Sequence, residues 1–348
     1  MLDISHYIQK RRMVHFGQMK RFIGYGILFA LGVLTCISVN YLVRFLDVTE
    51  IVSPLGIREE KTFERYTIDS LHARAPNGGS ITLNSPIATS SAYTVYVFSF
   101  PTEGKRVTGL AHFPHGNPDG GFPVIVQLRG YVDRETYETG VGTKRSAEVF
   151  ATNGYVTLAP DFLGYGGSDP PSENIFEERF GTYTTALDLL TSLRTLPSIN
   201  PNKVGIWGHS NGGQIALTVL AVTELPYPTT LWAPVTKPFP YSILYFSDEL
   251  ADTGKYLRKE LAKLESVYDA DSFAMTNYLD RITAPVLLHQ GKADEAVPER
   301  WSSEFTEKLK NVGTDVSYHV YPGADHNMSG AWNTVIARDI SFFRDKLQ

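Results

Sequence analysis

The most informative segment of the chain reads Lys203-Val-Gly-Ile-Trp-Gly-His-Ser-Asn-Gly-Gly-Gln-Ile-Ala-Leu217. Its apolar start predicts a short buried strand over residues 204–207, and its end predicts a helix that begins at Gly213. Between them, the turn Gly208-His-Ser210-Asn-Gly212 matches the nucleophile-elbow pattern G-x-S-x-G, which holds a serine on a sharp strand-to-helix turn. Glycines suit such a turn because strand and helix approach closely there. A five-residue pattern also occurs by chance, so this interpretation depends on the apolar runs on both sides.

Strands alternate with helices along most of the remaining sequence, which is typical of a mostly parallel sheet covered on both faces. The predicted strands are residues 123–128, 155–159, 229–233, 285–290 and 316–321, and the predicted helices are residues 143–153, 181–196, 299–311 and 331–347. Before them, residues 91–100 and 106–114 predict an antiparallel hairpin. We therefore expect an α/β fold with a doubly wound, mostly parallel sheet and an N-terminal antiparallel hairpin.

Two polar residues directly follow predicted strands. Asp294 follows the strand that ends at residue 290, and His326 follows the strand that ends at residue 321. Open α/β sheets place their sites at the carboxyl ends of parallel strands. Glu295 and Asp325 are neighbouring carboxylates, and either is an alternative to Asp294 as the acidic residue of a site.

The serine, the acid and the histidine follow one another along the chain in an order that is typical of one superfamily of enzymes. The sequence resembles the α/β-hydrolase superfamily, and within it prolyl-oligopeptidase-like catalytic domains and dienelactone-hydrolase-like esterases. The resemblance covers roughly residues 90–348. It is carried by four stretches in matching order: Asp161-Phe-Leu-Gly-Tyr-Gly-Gly-Ser-Asp169, Gly208-His-Ser-Asn-Gly-Gly213, Gly291-Lys-Ala-Asp294 and Gly323-Ala-Asp-His326.

The resemblance and the residue types together predict a catalytic triad. A neutral hydroxyl is a poor nucleophile, so Ser210 needs an adjacent base, for which His326 is the candidate. Asp294 is the candidate carboxylate that fixes the imidazole tautomer and stabilises its cation. The structural alternative is that any one of the nine histidines lies on the surface or in the core. His209 beside the serine and His289 within an apolar strand are interpreted in that way.

Two residues are candidates to donate hydrogen bonds in the oxyanion hole. The first is the N–H of Asn211, the residue after the nucleophile. The second lies in the turn after strand 123–128, where the family usually has His-Gly. This chain departs from that pattern with Arg129-Gly130-Tyr131, so Tyr131 is predicted to donate either its N–H or its hydroxyl.

A long segment separates two of the predicted strands. About 50 residues, 235–284, lie between them, which is long for a connection in a compact domain. Residues 250–268 read as a charged amphipathic helix, and the segment resembles the cap of α/β-hydrolases. A packing element without substrate contact is the alternative.

The first 44 residues have a different composition from the rest. They carry a charge of +5, which leaves −10 for the remainder of a chain whose total is −5. Residues 22–43 contain no charged residue and match the roughly 20 residues that cross a bilayer. The predicted organisation is a basic leader (1–21), a transmembrane helix (22–43), a connector (44–65) and the catalytic domain (66–348). A core helix, a cleaved signal peptide and a lipoprotein signal at Cys36 are the alternatives.

Charge and composition also predict location and partners. The basic residues precede residues 22–43, so the N-terminus is expected in the cytoplasm and the catalytic domain outside it. An acidic body argues against nucleic acid. Cys36 is the only cysteine, so neither a disulfide nor a Cys-ligated metal is expected, and no cofactor is predicted. A glycan on the sequon Asn327-Met-Ser329 would obstruct His326, which favours a bacterial source.

These inferences converge on a membrane-anchored serine hydrolase of carboxylic esters or peptide-like amides. An esterase is preferred because no propeller repeat accompanies the domain, and an oligopeptidase-like peptidase is the alternative. A catalytically inactive hydrolase fold that serves as a binding or scaffold module is the alternative from another class. The sequence leaves the oligomeric state open.

Overall fold

The computed structural model describes residues 61–347 of the chain. The described residues form one compact unit that begins at Lys61. The predicted leader (1–21), transmembrane helix (22–43) and most of the connector (44–65) lie outside the described residues. Within the described residues, no helix has the length and apolar character needed to cross a membrane.

Nine strands of the described region form one sheet in the order β1-β2-β3-β5-β4-β6-β7-β8-β9. The strands are β1 (Thr82–Thr89), β2 (Tyr93–Thr102), β3 (Lys105–Pro114), β4 (Phe122–Leu128), β5 (Val156–Pro160), β6 (Ile199–His209), β7 (Thr229–Trp232), β8 (Val286–Gly291) and β9 (Val316–Tyr321). The pairs from β1 to β3 and the β3–β5 pair are antiparallel. The pairs among β4 to β9 are parallel. The expected α/β-hydrolase fold with a mostly parallel sheet is therefore confirmed.

Eight α-helices accompany this sheet in the described region. They are α1 (Ile68–Ala73), α2 (Lys144–Thr152), α3 (Ile175–Ser192), α4 (Asn211–Thr223), α5 (Tyr241–Leu244), α6 (Lys255–Glu265), α7 (Glu299–Asn311) and α8 (Trp332–Lys346). Helix α3 begins six residues before the predicted start. The Asn174 side chain accepts the N–H groups of Phe176 and Glu177 at 2.9 and 3.2 Å, which caps the helix there.

The antiparallel part of the sheet has one strand more than the predicted hairpin. Every residue of β1 except the half-buried Leu83 is exposed, and the register shifts on both sides of Pro86. An exposed edge strand with a proline lacks the alternation of apolar and polar residues from which strands are recognised. The sequence therefore gave no signal for β1.

Alternate residues of the central strands face two separate apolar cores. In β4, Val124 and Val126 belong to one core, and Ile125 between them belongs to the other. In β6, Ile206 and Trp207 divide in the same way. This period of two means that helices cover both faces of the sheet.

The segment between β7 and β8 consists of two parts with different surroundings. Its second part, which includes Phe273, packs into the core that contains Val124. There the ring of Phe273 stacks on Phe180 with centroids 4.8 Å apart. Its first part carries Tyr241 and Tyr245, which remain 47% and 41% exposed. Much of the predicted cap (235–284) is therefore a packing element, and α5 presents aromatic rings to solvent.

The elbow, residues 208–212, depends on a close approach of β4, β6 and α4. A Cβ atom on Gly212 would lie 1.9 Å from the carbonyl oxygen of Leu128, and one on Gly208 would lie 2.8 Å from the carbonyl oxygen of Gly212. Both contacts are with main-chain atoms, which cannot swing away. Glycine is therefore required at both positions of the G-x-S-x-G pattern for steric reasons.

We expect Gly212→Ala to destabilise the domain by about 3 kcal/mol or to prevent its folding, because the methyl group would overlap the carbonyl of Leu128. Gly181→Ala is the matched control within α3, where a Cβ atom would meet nothing within 4 Å. That change should stabilise the domain by about 0.5–1 kcal/mol, as for a helical glycine in open space. Urea unfolding of both variants measures the difference. Equal stabilities would contradict the steric account.

Candidate active site

Ser210 lies between the end of β6 and the start of α4, as the elbow pattern predicted. Its backbone has φ of 54° and ψ of −119°, a region that residues with a side chain rarely adopt. Main-chain hydrogen bonds hold it there: its N–H donates to Trp232 at 2.9 Å, and its carbonyl accepts from Val235 at 3.0 Å. Compared with the prediction, β6 extends to His209 and α4 begins at Asn211 instead of Gly213.

Asp294 and His326 meet although 32 residues separate them in sequence. The distance from His326 Nδ1 to Asp294 Oδ2 is 2.9 Å. The Asp294 side chain is fully buried, and the His326 side chain remains 22% exposed. Because a carboxylate accepts, Nδ1 carries the proton, and Nε2 of the neutral ring is left with its lone pair. This is the tautomer that a general base needs.

Several donors surround the carboxylate of Asp294. Its Oδ1 accepts the N–H groups of Ala296 and Val297 at 2.9 and 2.8 Å, and its Oδ2 accepts Gln290 Nε2 at 2.8 Å. Burial alone would raise the pKa of Asp294, but the bonds from His326 and Val297 outweigh it and hold the pKa below its usual value. Asp294 is therefore ionised at neutral pH.

The two neighbouring carboxylates lie in other surroundings. Asp325 is exposed, and its Oδ1 accepts the N–H groups of Asn327 and Ser329, both at 2.9 Å. Glu295 is also exposed. Asp325 shapes the loop after β9, and Asp294 is the carboxylate that contacts the His326 ring.

A second histidine–carboxylate pair lies in the core. His289 in β8 places Nε2 3.0 Å from Asp339 Oδ1 and Nδ1 2.8 Å from the Tyr321 hydroxyl. Both side chains of the pair are fully buried. The interpretation of His289 as a core histidine agrees with this position. Asp339 gave no recognisable signal because it is one acidic residue within a helical pattern.

The predicted oxyanion residues flank Ser210 on two sides. Asn211 is the first residue of α4, so no preceding turn of that helix can accept its N–H. On the other side, a Cβ atom on Gly130 would lie 3.1 Å from Ser210 Cβ, which brings the Gly130–Tyr131 peptide beside the serine. The Tyr131 ring is 74% exposed and its hydroxyl donates to Asp133 at 2.9 Å. This bond raises the pKa of Tyr131 to about 12 and engages the hydroxyl proton, so the main-chain N–H is the donor of Tyr131 that stays available for the predicted role.

Arg129 binds the carbonyl of this peptide, a contact that was not predicted from the sequence. Its side chain is buried, with Nη1 donating to the Gly130 carbonyl and Nη2 to the Asp161 carbonyl, both at 2.9 Å. In a trans peptide the N–H points away from the carbonyl, so a bond to Gly130 O directs the N–H of Tyr131 the opposite way. The guanidinium also stacks 4.1 Å from the centroid of Tyr165, whose hydroxyl donates to the Val132 carbonyl at 3.1 Å.

The contact between His209 and His326 was also not predicted from the sequence. Its Nε2 lies 3.0 Å from the carbonyl oxygen of His326, and the two rings have centroids 4.8 Å apart. This contact joins the residue before the nucleophile to the residue predicted as its base. The structure therefore brings Asp294 and His326 together directly, and it connects His326 to the elbow through His209.

Comparison with known proteins places this site in a family. The family model of the prolyl oligopeptidase family matches residues 142–348, which include the elbow, Asp294 and His326. The chain belongs to the prolyl oligopeptidase family. The predicted resemblance to prolyl-oligopeptidase-like enzymes is thus confirmed.

Members of the family and other α/β-hydrolases are similar to this chain. A putative dipeptidyl aminopeptidase of Schizosaccharomyces pombe is 25% identical over 237 residues, which cover 67% of this chain and 26% of that protein. An uncharacterized peptidase of Bacillus subtilis, YtmA, is 24% identical over 254 residues, which cover 71% of this chain and 91% of that protein. The chain spans about a quarter of the length of the fungal dipeptidyl aminopeptidases that it matches.

Solved structures agree on the fold. An acetyl xylan esterase from Paenibacillus sp. R4 has a TM-score of 0.59 at 17% identity, over 79% of this chain and 91% of that one. An acylaminoacyl peptidase from Pyrococcus horikoshii has a TM-score of 0.57 at 20% identity, over 74% of this chain and 42% of that one. An esterase and a peptidase thus share the fold of this chain. The predicted class, serine hydrolase, is confirmed by membership of the family.

The two candidate acids can be separated by one substitution each. Asp294→Asn should lower kcat by about a thousandfold or more, because an amide at this position favours the wrong imidazole tautomer. Asp325→Asn is the matched control, since its amide oxygen can still accept from Asn327 and Ser329. It should stay within about threefold of the parent. Steady-state kinetics on a short acyl ester measures both, and the reverse result would move the acid to Asp325.

Proposed function

We propose that the protein is a serine hydrolase that cleaves carboxylic esters through an acyl-enzyme on Ser210. The observation that carries this proposal is the Asp294–His326 hydrogen bond, 2.9 Å long, which His209 connects to the elbow that holds Ser210 in a strained backbone conformation. A buried carboxylate, an oriented imidazole and a half-buried serine on a strand-to-helix turn are the parts that nucleophilic acyl transfer requires.

In the proposed reaction, Ser210 Oγ attacks the ester carbonyl carbon while His326 Nε2 takes the hydroxyl proton. The carbonyl oxygen becomes an anion that accepts the N–H groups of Asn211 and Tyr131, and the helix dipole of α4 favours this negative charge. His326 then gives its proton to the alkoxide leaving group, and an acyl-enzyme remains. A water molecule, deprotonated by His326, attacks the acyl carbon; the bond from this carbon to Ser210 Oγ then breaks, Oγ takes the proton back from His326, and the carboxylic acid leaves. Asp294 stabilises the imidazolium in both halves of the reaction.

An apolar group of the substrate has a surface to contact near this serine. Tyr241, Tyr245 and Trp301 form an aromatic shelf, in which the Tyr245 and Trp301 rings have centroids 4.6 Å apart and the Tyr241 and Trp301 rings 5.9 Å. Trp301 packs with Val235 and Val297. The main-chain N–H of Val235 donates to the Ser210 carbonyl, and that of Val297 donates to Asp294 Oδ1. The shelf therefore borders the site. We propose that it receives the apolar part of the ester.

A peptide-like amide is the second candidate substrate. Membership of the prolyl oligopeptidase family and the B. subtilis peptidase, 91% of whose length is matched, support it. Amide cleavage uses the same residues, but the amine must be protonated as it leaves, which places a greater demand on His326. The two candidates therefore differ in rate on matched acyl groups, which a substrate panel can measure.

Ser210→Ala should abolish turnover and labelling by a fluorophosphonate, because the proposed nucleophile is removed. Its unfolding midpoint should stay within a few degrees of the parent. The parent should hydrolyse short acyl esters faster than aminoacyl amides with the same acyl group, with or without a chelator. Retained activity in Ser210→Ala would disprove the nucleophile and leave a different mechanism. A parent that is unreactive towards the probe and all substrates would support the scaffold alternative.

We also propose that residues 22–43 anchor the protein in a membrane, with the N-terminus in the cytoplasm and the catalytic domain outside it. The uncharged stretch of bilayer length and the five basic residues before it support this arrangement. The sequon next to His326 favours a bacterial membrane, as argued above. The proposed substrate is then an ester or peptide that reaches the outer side.

Deleting residues 1–45 should release the enzyme from the membrane fraction with kcat/KM within about twofold of the full chain, because the proposed site lies beyond residue 128. The matched control keeps the length and carries Leu31→Arg and Leu34→Arg, which raise the cost of insertion by several kcal/mol. Centrifugation of lysates followed by ester assays measures both. A shortened protein that still pellets with membranes would show that the anchor lies elsewhere.

A further inference from the structure

His209 donates a hydrogen bond to the main chain of His326. Its Nε2 lies 3.0 Å from the His326 carbonyl oxygen. A carbonyl oxygen can only accept, so Nε2 must carry a proton. The proton could belong to a neutral ring or to a cation.

The surroundings of His209 favour the neutral ring. Burial, with the neighbouring charge of His326, lowers the pKa of His209 to about 4. Asp294 and Asp325 act in the opposite direction but do not outweigh the burial. A neutral donor matters here because the His209 and His326 rings are only 4.8 Å apart. A cation at that distance would oppose the imidazolium that forms when Ser210 loses its proton.

The sheet topology explains why such a bond is needed. Strand β6, which ends at His209, and strand β9, whose following loop carries His326, are separated by β7 and β8. The loop after β9 must fold back over the sheet edge to reach the elbow. The bond to Asp294 orients the His326 side chain, whereas the bond from His209 fixes its main chain relative to the strand that carries the nucleophile.

We propose that His209 is a positioning residue that holds the general base of the reaction at its working distance from Ser210. This inference rests on the proposed function, since it needs His326 to act as the base for Ser210. Because His209 directly precedes the nucleophile, any shift of the elbow carries the donor with it, and the spacing of serine and base is preserved.

Two substitutions separate this role from a purely structural one. In His209→Gln the amide nitrogen reaches the place of Nε2 and can still donate to the His326 carbonyl. In His209→Asn the amide is one bond shorter and falls near the place of Nδ1, so the bond is lost while a polar, uncharged group remains.

We expect His209→Asn to lower kcat tenfold to about a hundredfold with KM within about threefold, since a small displacement of a catalytic group has this effect. His209→Gln should stay within about threefold of the parent in both constants, at an unfolding midpoint similar to that of His209→Asn. An Asn variant as fast as the parent, or a Gln variant as slow as the Asn variant, would overturn the proposal. An increase of KM without a fall in kcat would also overturn it.

A measurement on the unaltered protein covers the case in which His209→Asn does not fold. In ¹⁵N-histidine NMR, with His209→Gln used for assignment, His209 should show a neutral ring protonated at Nε2 between pH 6 and 9. A ring protonated at Nδ1, or one that becomes cationic in this range, would contradict the donor role.

Ser210→Ala and the parent, assayed in parallel, separate this inference from the proposed function. A parent without Ser210-dependent activity removes the proposed function and the role of His209 with it. Ser210-dependent activity that is unchanged in His209→Asn removes only the role of His209.

Discussion

The left-handed backbone of Ser210 is the constraint on which the rest of the structure depends. Its φ of 54° costs conformational energy that the surrounding packing must offset. The compensation comes from three elements that meet without side chains, since Gly208 and Gly212 bring β4, β6 and α4 within contact of one another's main chains. The same approach brings Gly130, in the turn after β4, against Ser210, so one set of packing contacts places both the serine and one proposed oxyanion amide.

Main-chain contacts dominate the further organisation of the site. Arg129 binds the carbonyl of Gly130, Tyr165 the carbonyl of Val132, and His209 the carbonyl of His326. In each case a side chain binds the backbone of a loop at the carboxyl end of a strand: Arg129 lies in the same loop as its partner, Tyr165 lies in the loop after β5, and His209 ends β6. Loops at the carboxyl edge of a sheet would otherwise be its most variable part. The proposed catalysis by proton transfer and oxyanion binding needs these loops to be held in place, because small displacements of catalytic groups lower the rate strongly.

The sequence predicted the central fold well because each central strand is a buried apolar run with glycine or polar residues at its ends. Strand β9 and helix α7 match the predicted bounds, and the other parallel strands from β4 to β8 end within two residues of them. Strand β1 was missed because it is exposed on nearly every residue, so no period of two marks it. The contact between Asp294 and His326 was predictable because both residues directly follow strands. The contacts of Arg129, His209 and Asp339 were not predictable from the sequence, because the proximity of their partners depends on how distant segments of the chain pack together.

The two histidine–carboxylate pairs show what distinguishes a site from a core contact of the same chemistry. Complete burial raises the pKa of Asp339, whereas the surrounding donors keep that of Asp294 low. His289 is fully buried and uses both ring nitrogens, one with Asp339 and the other with Tyr321. His326 is partly exposed and uses Nδ1 for Asp294, which leaves Nε2 for a proton from outside the pair. Solvent access and one available nitrogen, more than the pairing itself, therefore support the proposal that His326 is the base for Ser210.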